Sequence, residues 1–449
     1  TQATLGKEIG DWSLMASGFE RHANNHRDNF KSNEQSMLLQ GNWRKESNSI
    51  NLRYASQTLT SGLPGGVNLS DFMNRSRLSY KPQDHGKTTA ESWFVGLGGL
   101  VSGWNWVSEL THKRKNVESV YVVDGYATLN QTPTNRLGLR AWYKDQMGAL
   151  ESKTLLGFDD EIWTQNRNDG SRIEQKMQAI YGKYELSHRT SGVSGFVGAR
   201  RTLAQKQASS GIDGGVNDRN TSADGGLSWA FNNLSQAYVY RGNSFRLANS
   251  DEYVCYPMWG TCAANPINAL APQKSQDTEV GYQFKTEVWK HTLRAYQHKM
   301  TNEIGLDITN FNNVNYDPTV HKGFEWDQMV QVNRQWSVKT QLASRDNRFV
   351  SGQYAGQKMP APENSVQMQL THAWNKDARL TWATTWFSAQ KIVGDFAGTC
   401  AEKIPGFATH DVVYFRQMDQ WQWTAGIENL GDKNYYTLRT RCDPTAKSV

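Results

Sequence analysis

Four cysteines, Cys255, Cys262, Cys400 and Cys442, are the residues whose type and spacing most constrain the chemistry open to this chain. The first two stand within Cys255-Tyr-Pro-Met-Trp-Gly-Thr-Cys262, and all four fall in polar connections. Four cysteines permit three pairings. Cys255 with Cys262 and Cys400 with Cys442 is the expected one, because each pair joins neighbouring loop segments. Disulfides require an oxidising compartment, such as the bacterial periplasm or cell surface. Zinc is the rival, but no histidine stands at ligand spacing beside these cysteines. Structural staples are expected, and no metal site.

Catalytic constellations are missing. There is no Gly-x-Ser-x-Gly elbow, no His-Glu-x-x-His and no phosphate-cradling glycine loop, so neither an enzyme nor a cofactor is expected. Asp159-Asp160-Glu161 offers carboxylates for a cation, yet it lies in an alternating strand that points successive side chains to opposite faces. A hydrated wall and rim is the expected role. His22, His26 and Asp28 share one connection and could touch a metal complex, although exposed loop histidines are ordinarily only solvated.

Cargo binding is the chemistry that remains. It needs flat aromatic surfaces and a few placed charges, with arginine able to pair bidentately with anionic groups. Trp163, Arg167, Phe245, Arg246, Tyr253, Trp259 and Tyr354 lie in the connections or at strand ends and are the candidate ligand contacts. Interface girdles enrich aromatics whatever the cargo. The loop holding Cys255 and Cys262 is the strongest whole-loop candidate, because a disulfide pre-organises a binding surface.

The elements that must carry these residues are strands. In Glu279-Val-Gly-Tyr-Gln-Phe284, Val280, Tyr282 and Phe284 face one way and Glu279, Gly281 and Gln283 the other. Phe324, Trp326, Val330 and Val332 mark one face of another strand, and Leu380-Thr-Trp-Ala-Thr-Thr-Trp386 alternates in the same manner. Short turns recur near 9–10, 45–48, 101–104, 148–152, 188–192, 232–234, 287–289, 334–336, 375–378 and 418–420. Between them lie longer polar connections, at 23–34, 59–88, 115–133, 166–172, 208–221, 248–275, 303–320, 349–363 and 391–406. A sandwich or propeller scatters its long loops over both ends. Strict alternation instead predicts an antiparallel barrel standing in a membrane, with short periplasmic turns and long extracellular loops. Ten turns give twenty visible strands, mostly of ten to fifteen residues, with one more expected at each end to make twenty-two.

Composition agrees. Among 449 residues the apolar share is 37%, while Trp, Tyr and Phe number 17, 18 and 16. Mean hydropathy is −0.70. A soluble core of this size needs more Leu, Ile and Val, whereas a large barrel has a polar lumen and a single apolar outer layer. No run approaches the 18 apolar residues or so of a membrane helix. Net charge is +6, with both signs scattered, as in a solvated lumen and loops that mildly favour anionic cargo. The chain opens on Thr1-Gln-Ala-Thr4 without a signal peptide, as expected of a mature or truncated product.

Several stretches resemble, in order, the barrel of TonB-dependent outer-membrane receptors. Leu63-Pro-Gly-Gly-Val-Asn-Leu-Ser-Asp-Phe72 is similar to a loop in which Leu-Pro-Gly precedes a short helical segment. Tyr240-Arg-Gly-Asn-Ser-Phe-Arg-Leu-Ala-Asn249 resembles the family's aromatic-Arg-Ala-Pro-Asn strand end, with Leu247-Ala248 where Ala-Pro is usual. Leu270-Ala-Pro-Gln-Lys-Ser275, followed by Glu279-Val-Gly281, resembles the entry into the next strand. His321-Lys-Gly-Phe-Glu325 matches Arg-x-Gly-x-Glu, and Asn429-Leu-Gly-Asp-Lys433 matches Asn-Leu-Phe-Asp-Lys.

The resemblance implies one outer-membrane β-barrel domain over 1–449. No plug sequence, TonB box or closing strand ending in an aromatic residue is found, and these are expected to lie outside the chain. It further implies active uptake of a scarce large solute, a ferric siderophore first. A corrinoid, haem or other cofactor is the alternative cargo, and a plugless passive channel the alternative mechanism. The implied partners are TonB acting through the plug, outer-membrane lipid and lipopolysaccharide, and the cargo. No nucleic acid is implied, and the receptor is expected to be a monomer.

Overall fold

Alternating runs become antiparallel strands in the computed structural model, which describes residues 1–209, 214–253, 270–307, 312–419, 421–440 and Cys442. Two compact units are present, unit 1 of residues 1–145, 152–184 and 198–221 and unit 2 of 146–151, 185–197 and 222–449. Unit 1 carries β1 (Gln2–Ile9), β2 (Trp12–Ala23), β3 (Ser32–Lys45), β4 (Asn48–Gly62), α1 (Leu69–Asn74), β5 (His85–Val101) and β6 (Trp104–Tyr121). It also carries most of β7 (Tyr126–Met147), β8 (Leu150–Arg167), β9 (Arg172–His188) and β10 (Val193–Ser209), whose turn-proximal ends belong to unit 2. β11 (Gly214–Ala230) begins in the first and ends in the second.

Unit 2 continues with β12 (Ser235–Arg246), α2 (Ser250–Tyr253), β13 (Gln273–Lys285), β14 (Trp289–Thr301), β15 (Ile304–Asp307) and β16 (Asn312–Asn315). It ends with β17 (Thr319–Gln331), β18 (Trp336–Phe349), β19 (Asn364–Asn375), β20 (Ala378–Phe387), β21 (Phe407–Met418) and β22 (Trp421–Ile427). Twenty strands belong to one sheet, the number expected from the turns, and β15–β16 forms a hairpin of its own. That hairpin lies in the connection between β14 and β17, which pair directly in the main sheet. No described helix is long and apolar enough to cross a membrane, which says nothing of strands.

Short turns fall where the sequence put them. Gly103 (φ 81°) and Gly192 (φ 68°) occupy the left-handed region that such tight reversals need. Connections 23–34, 166–172, 349–363 and 391–406 also fall close to expectation, while others depart from it. The 115–133 connection is instead a hairpin whose ladder runs to Tyr121↔Tyr126, leaving four residues, 122–125, as its turn. Likewise β4 runs to Gly62 and β5 starts at His85, shortening 59–88. Strands β5 to β11 are 17 to 22 residues long, not ten to fifteen. Backbone ladders need no apolar face. A strand polar on both sides therefore reads as a loop while pairing as well as any other. At about 3.3 Å per residue, β7 spans about 70 Å, far beyond a hydrocarbon layer of about 30 Å.

One face of each strand is apolar and exposed, as with Met37 and Leu39 on β3, Trp93, Val95 and Leu97 on β5, and Val280 and Tyr282 on β13. The other face is polar or small, and aromatic rings shield its glycines. Tyr238 and Gly281 are directly opposed, and a Cβ on Gly281 would lie 2.3 Å from that ring. Tryptophans line the strand ends beside the short turns. Trp229, Trp289, Trp336, Trp374, Trp421 and Trp423 are exposed there in unit 2, the position of an interfacial girdle.

Candidate functional site

The outer connections are built bodies. In unit 1, Arg27 donates to the carbonyls of Gly65 (2.6 Å) and Leu78 (2.7 Å). Asn29 donates to those of Lys81 (2.5 Å) and Asp84 (2.8 Å). Lys81 pairs with Asp124 at 2.7 Å, so residues 24–31, 63–84 and 122–125 are laced together. Asn68 caps α1 by accepting from the Asp71 amide, and the helix follows Leu63-Pro-Gly-Gly as the resemblance required.

Unit 2 holds an outer hydrophobic core. Phe349, 1% exposed, meets Tyr316, Tyr354 and Phe396 at ring separations of 6.0, 5.6 and 5.0 Å. Ile392 and Ile404 are buried as well. Three connections, 302–318, 350–363 and 388–406, thus converge on one aromatic cluster. The last is also bound to the segment after β22. Cys400 pairs with Cys442, with Cα atoms 5.6 Å apart, as expected. Glu402 pairs with Arg439, and the Val393 amide donates to the Arg439 carbonyl at 3.0 Å. Cys255 and Cys262 lie outside the described residues.

Two groups beside this core are electrostatically displaced. Burial pushes the Tyr316 hydroxyl up to about 12, helped by the nearby charges of Glu303 and Asp307. Burial also pushes the Glu303 carboxyl up. Hydrogen bonds from His321 (3.1 Å) and Thr319 (2.6 Å) and the charges of His321 and Arg246 outweigh it, holding Glu303 below its ordinary value.

The candidate contacts divide between the two units. In unit 1, Trp163 and Arg167 share the polar face of β8; Lys206 lies over the Trp163 ring at 6.0 Å, and Arg167 is buried and donates to Gln165. In unit 2, Phe245 and Arg246 stand on opposite faces of β12. Arg246 pairs with Glu252 at 2.6 Å, while Phe245 shares the face of exposed Val239. Tyr253 ends α2 only 2% exposed, a packing position. Tyr354 is half-buried against Phe349 and Phe396. Trp259 lies outside the described residues.

Asp159 and Asp160 do face apart. Asp159 accepts from Arg200 at 2.7 Å on the polar face, and Asp160 accepts from Gln178 on the other. His22 bonds Asn33 and Glu20, His26 packs edge-on against Phe30, and no described residues group as metal ligands. Sequence reasoning missed Tyr316, Phe349 and Phe396, whose convergence is tertiary. It also missed Arg136-x-Gly-x-Arg140, a period-two signal hidden next to the stretch read as a loop.

Long antiparallel strands with one apolar and one polar face, short turns at one end and structured connections at the other are the build of membrane β-barrel proteins. The chain belongs to the TonB-dependent receptor-like β-barrel family, whose model matches residues 6–430. That family comprises receptors and transporters, not enzymes. No curated protein matches the sequence. Solved structures share the fold. The ferric-catecholate import receptor Fiu of E. coli K12, in its closed form, is 13% identical with a TM-score of 0.79, covering 98% of this chain and 76% of that one. The unliganded ferric citrate transporter FecA is 13% identical with a TM-score of 0.83, over 98% and 72%. The copper transporter OprC is 12% identical with a TM-score of 0.79, over 98% and 75%.

Proposed function

We propose that this chain is the barrel of an outer-membrane receptor that takes up a ferric siderophore, powered by TonB acting on a plug. The family match over 6–430 carries the reading. The cargo class rests on neighbours named as a ferric-catecholate import receptor and a ferric citrate transporter. A copper transporter shares the fold equally well, which makes cargo a matter for titration. Corrinoid, haem or another cofactor is the alternative cargo.

Trp163 and Arg167 in the first unit, and Arg246 and Tyr354 in the second, are the residues we assign to cargo contact. Tyr253, 2% exposed, serves packing, and Phe245 lies on the face of β12 that carries exposed Val239. We read residues 1–449 as one outer-membrane β-barrel domain. The receptor sits as a monomer among outer-membrane lipid and lipopolysaccharide.

Titrating the purified protein with ferric catecholate, hydroxamate and citrate complexes, with cobalamin and haem alongside, tests the cargo. Saturable binding of one ferric siderophore supports the reading. Binding of cobalamin or haem alone reassigns it.

A further inference from the structure

In unit 2 the apolar face of β12 to β18 gives way to cations toward the outer connections. Val239, Val280 and Phe324, exposed by 42%, 49% and 47%, mark its apolar part. On the same faces of the same strands and of β14, further outward, stand Arg241, Lys274, Lys299 and Lys322, all exposed. Asp346 is the one carboxylate this face carries between β12 and β18, and Arg348 holds it at 2.6 Å. The carboxylates of Asp277, Glu279 and Glu325 belong to the polar face, where His298, Tyr238 and Arg294 engage them. Among the described residues none of the four cations has an ion-pair partner.

Register brings the four together. Lys299 lies opposite Gln276 on one side and Val320 on the other, so Lys274 and Lys322 stand diagonal to it, each about 7–8 Å away. Arg241 shares a rung with Thr278, Gln297 and Lys322. Like charges so close repel, and an anion between them relieves the repulsion. Their depth is equally specific. Lys299 follows the girdle residue Trp289 by ten residues on β14, about 33 Å along the strand. At the tilt of membrane barrels that is about 25 Å of depth, the height of the apolar band. The wall of unit 1 is built otherwise. Past exposed Trp93, Glu91 faces Arg114 and Lys87 faces Glu118 across β5 and β6, so each cation has a carboxylate directly opposite.

We propose that Arg241, Lys274, Lys299 and Lys322 form a docking site for a multiply phosphorylated lipid of the outer leaflet. Its phosphates lie against the four cations, with Arg241 offering the forked pair and the lysines point charges. Its acyl chains run down Val239, Val280 and Phe324, which a free anion could not use. The site rests on the membrane placement of the barrel and is independent of the cargo assigned above.

Native mass spectrometry of the purified protein in non-ionic detergent with EDTA tests it, using bisphosphoryl lipid A, monophosphoryl lipid A and phosphatidylethanolamine as probes. Bisphosphoryl lipid A should be retained best, the monophosphoryl form several-fold less and phosphatidylethanolamine least. Retention should fall about tenfold or more in Arg241→Gln/Lys299→Gln/Lys322→Gln and persist in Lys299→Arg/Lys322→Arg, which keeps the charges. Lys87→Gln/Arg114→Gln, on the balanced wall of unit 1, should bind as wild type does. Equal retention by wild type and the triple variant at unchanged circular dichroism overturns the site, as does an equal loss in the unit 1 variant or no preference among the lipids. Displacement by excess inorganic phosphate overturns the lipid assignment. Siderophore accumulation without lipid retention contradicts this site alone, and retention without accumulation contradicts the cargo reading alone.

Discussion

Tyr316 and Glu303 sit against the same outer core, yet their titrations act on stability in opposite pH ranges. The folded state favours the neutral Tyr316 phenol. Its contribution is complete below the ordinary 10.0 and is lost as pH rises toward about 12. Ultraviolet titration of wild type against Tyr316→Phe should show the loss of one phenol from those with a midpoint near 12. Glu303 is the mirror case. Its lowered value stabilises above the ordinary 4.5, and that is lost as pH falls through the folded value. Glu303→Gln should remove this acid sensitivity, read as hydrogen exchange around Thr319 and His321. Phe349→Ala should cost the outer core about 3–5 kcal/mol, read as faster exchange in 350–363 and 388–406. At this scale the sequence was least legible. Arg246 and Phe245 are neighbours in sequence, and their place inside β12, at the end of a loop-like stretch, sends them to opposite faces. Tyr316, Phe349 and Phe396 meet only through tertiary packing.

Turns and faces of the strands were legible for a local reason. Asn, Asp and Gly at reversals, together with period-two alternation, are set by the backbone geometry of the residues themselves. Strand length was not legible, because beyond the membrane both faces of β6 and β7 are polar and the alternation vanishes while the ladder continues. Pro133 stands inside β7 opposite Arg114, where it reads as a breaker. Two elements invite direct tests. Gly157→Ala should displace the Tyr181 ring and cost about 1–3 kcal/mol, measured by urea unfolding in detergent. Cys400→Ser opens a staple spanning 42 residues, which chain entropy values at about 4 kcal/mol. Limited proteolysis should then cut 388–406 faster, with the strand ladders intact.

For the molecule as a whole, the polar composition and the abundance of tryptophan fit strands with one wet polar face and one thin apolar face, as the β-barrel family requires. The tryptophans beside the short turns should sit at the level of the lipid headgroups. Reconstitution into lipids brominated near the headgroup should quench tryptophan fluorescence more than bromination at the acyl-chain ends. Cargo was not legible in the sequence, since a common fold carries many different sites. The central claim is energised uptake, and it is tested most directly by accumulation of a radiolabelled ferric siderophore in cells producing the protein, with and without TonB. The account predicts accumulation that needs both the protein and TonB. Entry that persists undiminished in cells lacking TonB would contradict it and make the barrel a passive channel.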